Sequence, residues 1–161
     1  MIRSVTPDDA ATLCSLYNHY IEHSIVTFEE EPVSVEAFRD RIENITESCP
    51  WLVYEADDDI AGYVYASPWK ARHAYRYAAE STVYMAPNQG GKGIGTALYE
   101  RLIADLKAQS VHSVMAGIAL PNDASVALHE KVGFEKVAHF KEVGWKFNRW
   151  IDVAYWELML E

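Results

Sequence analysis

The chain is poor in cysteine, poor in positive charge and without a long apolar run, and each shortage removes a class of function. Cys14 and Cys49 are the 2 cysteines among 161 residues. Cys14 lies in an apolar helical pattern and Cys49 precedes Pro50, so neither a metal-ligand spacing nor a disulfide framework is present, and a reducing, cytoplasmic setting is expected. Lys and Arg number 14 against 24 Asp and Glu, a formal net charge of −10 with a pI near 5.0. That balance is wrong for holding a phosphate backbone and argues against nucleic acid as a partner; it favours encounter with cations such as free amines. No apolar stretch is long enough for a bilayer, and "MIRSVTPDD" lacks a basic segment followed by an apolar one, so no membrane partner is expected. Internal repeats, low-complexity tracts and Pro/Gly/Ser linkers are missing too. The length suits one domain, residues 1–161, with its own core.

What the chain does contain is ordered local pattern. After a short strand "IRSV", Thr6, Pro7 and Asp9 mark a helix start, and Leu13, Leu16, Tyr17, Tyr20 and Ile21 recur at helical spacing. Val35, Phe38, Ile42 and Ile45 do the same after Ser34. "WLVYEA" and "IAGYVYAS", rich in aromatic and β-branched residues, flank Asp57–Asp59 as an antiparallel hairpin. A third strand, "YAAESTVYM", ends at Pro87. A helix carrying Leu98, Leu102 and Leu106 follows, then the strand "SVMAGIA", a short helix from about Asp123 to Val132, and strands near "FEKVAHF" and "VAYWELML". The fold class expected is α+β, a mixed, mostly antiparallel central sheet flanked by helices.

The stretch "NQGGKGIGTALY", residues 88–99, places four glycines in six positions before a helix. Glycine there is costly unless φ must be positive or a ligand must approach the backbone. The dinucleotide pattern G-x-G-x-x-G misses by one residue and the triphosphate loop lacks its Gly-Lys-Ser/Thr. A turn whose N–H groups, from about Gly91 to Thr96, face one anion at a helix N-terminus remains, and a pyrophosphate suits it, with Lys92 adding charge. A tight strand-to-helix turn without a ligand is the competing reading.

"GKGIGTALYERL" after a strand, followed by "PNDASVALHEKVGF", resembles the GCN5-related N-acetyltransferase (GNAT) superfamily. "PWKARHAY", "AESTVYM", "LPNDASVALHE" and "GWKFNRWIDVAYWEL" are similar to its phosphinothricin and methionine-sulfone acetyltransferase branch. The likeness runs over nearly the whole chain. One position departs: where the superfamily has Gln or Arg ahead of its glycines, this chain has Gly90, with Gln89 one place earlier. The resemblance implies acetyl-CoA as co-substrate and no metal. It implies pantetheine pairing with the backbone of Val83, Tyr84 and Met85, pyrophosphate binding by Gly91, Lys92, Gly93, Ile94, Gly95 and Thr96, and further cofactor contacts from Asn122 and Ser125.

Acetyl transfer to nitrogen needs a base, an oxyanion donor and an acid. Glu80, a carboxylate within a largely uncharged strand, is either solvated or in a cleft; the match of "AESTVYM" to the family makes it the candidate base, acting directly or through water. A backbone N–H near Tyr84 or Met85 would meet the oxyanion. His129 stands where the branch has histidine and most of the superfamily a thiolate-protonating tyrosine; an ordinary half-buried helix histidine is its alternative. For the substrate, a small amino-acid-like amine, Arg72 and Tyr75 in "PWKARHAY" offer a carboxylate grip and an aromatic wall. Phe28 and Glu29 in "IVTFEEEP" resemble the substrate-covering loop, and Lys146 is expected to close the pocket from the C-terminal side. The resulting expectation is an N-acetyltransferase acting on phosphinothricin, methionine sulfoximine or methionine sulfone. A protein N-terminal or polyamine acetyltransferase and a non-catalytic acyl-CoA sensor are the alternatives. Trp145, Trp150 and Trp156 suit either a homodimer contact, the expectation adopted, or a core.

Overall fold

A computed structural model describes residues 1–161. Seven strands form one sheet in the order β1-β2-β3-β4-β5-β7-β6: β1 Ile2–Ser4, β2 Trp51–Ala56, β3 Asp59–Pro68, β4 Ala78–Met85, β5 Ser113–Ala119, β6 Glu135–Lys146 and β7 Arg149–Met159. All neighbours are antiparallel except β4 and β5. Helices α1 Ala10–His23 and α2 Val35–Thr46 cover one face, and α3 Ile94–Ala108 and α4 Asp123–Lys131 the other.

Local chemistry explains the elements. Thr6 and Asp9 form a capping box around Pro7, with Asp9 Oδ2 accepting the Thr6 N–H at 2.8 Å. That turn is 3-10, and the α-helix proper begins at Ala10. Ser34 caps α2 by accepting the Ala37 N–H at 3.1 Å. Asp57 and Asp58 both adopt positive φ, the two-residue primed turn that matches strand twist. Phe147 and Asn148 repeat the device between β6 and β7. These last strands are longer than the sequence pattern predicts, because a bulge between Phe140 and Gly144, with Glu142 at positive φ, breaks the alternation.

Alternation along the strands sorts the core into two layers. Leu52, Val64, Ala79, Val114, Ala116 and Trp156 meet Leu98, Tyr99 and Leu102 of α3. Trp51, Val53 and Tyr63 meet Leu13, Tyr17 and Ile21 of α1 with Phe38 and Ile42 of α2. No helix is long and apolar enough to cross a membrane.

Candidate active site

The sheet opens at its one parallel junction. β4 and β5 pair at Ala78↔Ser113, Ala79↔Val114 and Glu80↔Met115, and no pairing follows. β5 stays paired to β7 through Ala119 and β4 to β3 through Met85, so the two strands splay into a fork. A cleft of about 830 Å³ fills it, walled by β4, the glycine loop, the start of α3, α4, and Val26 and Thr27 of the α1–α2 loop.

Hydrogen-bond parity identifies the main-chain groups that face the cleft. Ala86 N–H donates to Ala61 O at 2.8 Å, so by the antiparallel alternation Tyr84 and Thr82 also turn their N–H and C=O toward β3, while Ser81, Val83 and Met85 turn theirs toward the fork. The expected backbone pairing is thereby corrected at Tyr84, whose contribution is its ring, packed against Tyr17, Tyr20 and Tyr63. The Tyr20 hydroxyl donates to Met85 O. Strand edges left open in this way demand a partner with amides of its own.

The glycine loop supplies the anion end. Gly91 and Gly93 have positive φ, and a Cβ on either would meet nothing within 4 Å, so strain rather than crowding selects glycine there. Gly93 is the N-cap of α3 and offers no side chain. The N–H groups of Ile94, Gly95 and Thr96 thus precede the first helical bond, Ala97 N–H to Gly93 O at 3.0 Å, and have no intrahelical acceptor. At Gly95 a Cβ would lie 2.9 Å from a Leu128 methyl of α4, so glycine lets the two helices pack closely. Lys92 Nζ donates to Gln89 Oε1 at 3.0 Å on the exposed side of the loop. Across the cleft Asn122 caps α4, its Oδ1 accepting the Ser125 N–H at 3.2 Å, and both residues line the wall. The donor set and the open strand edge fit an extended, amide-bearing cofactor that carries a pyrophosphate.

Glu80 stands at the apex, half-buried and lining the cleft, on the sheet face shared with Thr82 and Tyr84. Its carboxylate has no protein hydrogen-bond donor. Burial pushes its pKa up, with Lys70 opposing. Burial likewise raises the phenols of Tyr65 and Tyr155, and the nearby Glu80 charge adds to both shifts. The Tyr155 ring lies over Gly117, where a Cβ would sit 3.0 Å from it, and meets Trp69 edge-on at 5.6 Å. Lys70 rests over the Trp69 ring at 4.9 Å.

His129 lines the opposite wall at 3% exposure. Its Nδ1 is 2.7 Å from Ser125 O, an atom that can only accept, so Nδ1 carries the proton and Nε2 accepts from the Tyr99 hydroxyl at 2.6 Å. Ser81 Oγ, 2.9 Å from Tyr99 Oη, completes the chain as its donor. Burial lowers the His129 pKa and keeps it neutral. The expected acid therefore has no free N–H directed into the cleft. Nothing in a linear pattern of leucines announces Tyr99 or Ser81; a hydroxyl-bearing ring beside the apolar stripe of α3 is the only trace.

The predicted substrate residues scatter. Arg72 and Tyr75 lie on the exposed β3–β4 connection, outside the cleft lining. Glu29 is already engaged within the protein: Arg41 grips it at 3.0 and 2.6 Å and the Tyr17 hydroxyl donates to it, and Arg41 is foremost in holding its pKa down. Lys146 is 2% exposed and donates to Ser24 O and Thr27 O at 2.7 and 2.8 Å. It holds the loop and does not itself line the cleft. The Phe28 ring lies on Gly144. Arg41 and Tyr20 were not foreseen; both sit in ordinary amphipathic helices.

Both the sequence and the fold have relatives among known proteins. Residues 2–155 match the model of the acetyltransferase (GNAT) domain. The chain is 42% identical to a phosphinothricin N-acetyltransferase of Streptomyces viridochromogenes, over 97% of this chain and 85% of that one. It is 32% identical to an L-methionine sulfoximine/L-methionine sulfone acetyltransferase of Salmonella typhimurium, over 99% and 94%. Among solved structures, an acetyltransferase from Salmonella typhimurium with acetyl-CoA superimposes with a TM-score of 0.96 at 32% identity, covering 100% and 94%. A phosphinothricin acetyltransferase from Sinorhizobium meliloti in complex with acetyl-CoA gives 0.95 at 31%, covering 99% and 88%. The fork between β4 and β5 is thus a feature held in common with those proteins, and the chain belongs to the GNAT acetyltransferases.

Proposed function

We propose that this chain transfers acetyl from acetyl-CoA to the α-amine of a small amino-acid analogue of the phosphinothricin, methionine sulfoximine or methionine sulfone type. The observation that carries the reading is the half-buried, unpartnered Glu80 at the apex of the fork. Acetyl-CoA would supply the acetyl thioester. The N–H of Val83 and the main chain of Met85 would hold its amide-bearing arm and present an N–H to the thioester oxygen, and Gly91 to Thr96 its pyrophosphate. Glu80, with its pKa raised, takes the proton from the acceptor amine directly or through one water. Ser81, Tyr99 and His129 fix the wall opposite. Phe28, Arg72 and Tyr75, none of which lines the cleft, remain the proposed amine-side contacts.

A cytoplasmic setting is proposed on the two unpaired cysteines. A homodimer is proposed on Phe140, Val143, Trp145, Phe147 and Trp150, each at least half exposed along the β6–β7 edge. Turnover of phosphinothricin would make the chain a herbicide-resistance determinant.

The test is CoA release by purified protein against phosphinothricin, methionine sulfoximine, methionine sulfone, ordinary amino acids, spermidine and a short peptide. Selective turnover of the first three is expected. Preference for peptide or spermidine overturns the substrate class, and acetyl-CoA binding without turnover of any amine moves the chain to the sensor class.

A further inference from the structure

The loop between α1 and α2 brings Val26 and Thr27 to the cleft, yet it has no regular structure from Ser24 to Ser34. Three anchors hold it. Asn18 brackets Val33, accepting its N–H at 2.8 Å and donating to its carbonyl at 2.9 Å. Arg41 and Tyr17 hold Glu29, and Tyr17 also bonds Thr27 Oγ1 at 2.8 Å. Both of these anchors come from α1 and α2, the helices the loop joins. The third comes from far along the chain: Lys146, on β6, donates to the carbonyls of Ser24 and Thr27.

A buried ammonium is expensive unless its surroundings replace water. Here two carbonyls do so, the Phe147 ring lies 5.0 Å from Nζ, and the exposed Glu30 is the carboxylate that favours its charge. Two residues earlier on the same strand, Gly144 is buried and carries the Phe28 ring, so close that an alanine Cβ would fall 2.4 Å from Cε2 and Cζ. Ile25 packs on Ala119 of β5 and Ile151 of β7. The loop is thus seated on the β5–β7–β6 side of the sheet through Ile25, Thr27 and Phe28. β5 is the other arm of the fork.

We propose that Lys146 and Gly144 are positioning residues for the amine: one grips the backbone of residues 24–27, the other seats Phe28, and together they hold this loop over the acceptor end of the cleft. The inference rests on the acetyltransferase reading, since it assigns the loop to the amine and leaves the acetyl-CoA side to the glycine loop. It assigns Lys146 no contact with either substrate.

Steady-state kinetics of Lys146→Met, Lys146→Arg and Gly144→Ala, together with hydrogen exchange of residues 24–29 without substrates, tests it. In Lys146→Met the amine KM rises roughly tenfold or more, the acetyl-CoA KM stays within about twofold and the loop exchanges faster; Lys146→Arg recovers part of the loss. If both KM values are unchanged and only the active fraction drops, Lys146 is a stability residue and the proposal fails. Should Lys146→Met not fold, Gly144→Ala decides: a flexible ring can swing from the added methyl without unfolding the chain, so a raised amine KM supports the proposal and an unchanged one overturns it. If the wild-type protein acetylates no amine, the acetyltransferase reading has failed. Loop exchange that matches wild type in the Lys146 variants would separately show that no tether exists.

Discussion

On the proposed base role, Glu80 is a residue on which activity and stability pull in opposite directions. A carboxylate with a folded pKa above its unfolded value favours the folded state while protonated, and that contribution is lost as pH rises from the ordinary Glu range through the raised value. Once ionised, Glu80 is a charge that burial opposes. Glu80→Gln is expected to lower turnover by about 10²–10⁴-fold while thermal unfolding at pH 7–8 stays level or moves up, with the stability gap between variants closing as the pH falls toward 4. The wild-type kcat/KM profile should show its acid limb above the usual carboxylate range. Unimpaired turnover by Glu80→Gln across the pH range would remove it as the base. The lone charge in an apolar strand left a solvated or a cleft position open for Glu80, and the structure shows it half-buried on the cleft wall; its candidacy as base came from the family resemblance. The ion pair of Glu29 was not legible: its partner Arg41 lies on the next helix, and a spacing of 12 says nothing about pairing.

At the scale of elements, the buried chain Ser81–Tyr99–His129–Ser125 ties β4, α3 and α4 together beside the cleft. Each member has its partner, so removing one leaves another without its hydrogen bond beside the cleft, at a cost of roughly 1–3 kcal/mol. Tyr99→Phe and His129→Leu are each expected to lower Tm. The double variant should lose less than the sum, which thermal unfolding of the four proteins measures directly. His129 also sets a pH dependence. Its folded pKa lies below the unfolded one, so the unfolded chain binds the extra proton and stability drops as pH falls below about 6.5; His129→Leu should flatten that limb. Sequence periodicity located α3, since Leu98, Leu102 and Leu106 recur on one stripe, and the short helix expected from about Asp123 to Val132 is α4. It could not show that His129 would meet Tyr99, because two helices separated by a strand share no register in the sequence.

For the whole molecule, order along the chain and order across the sheet diverge most at the C-terminal end. β7 inserts between β5 and β6, which leaves β6 as an edge strand with one side unpaired. The sequence pattern found pieces of both strands but not the continuous hairpin, because the bulge at Glu142 and the Phe147–Asn148 turn each interrupt the period-two alternation. The three tryptophans expected there divide: Trp156 is buried in the core, while Trp145 and Trp150, paired edge-on at 4.7 Å, are 51% and 60% exposed. An edge strand without cover is an association hazard, and the usual remedies are charge or a partner. β6 carries Lys136, Lys141 and Glu142, yet Phe140, Val143 and Trp145 also lie open, a combination that suits one specific partner better than open-ended stacking. On the proposed homodimer, Trp150→Glu places a charge in that contact without touching the fork. Sedimentation velocity should then show the wild-type protein as a dimer and the variant shifted toward monomer, with Tm depending on protein concentration only in the former. A wild-type monomer at micromolar concentration, or a dimer indifferent to Trp150→Glu, would remove this edge as the interface and leave its aromatics without a partner.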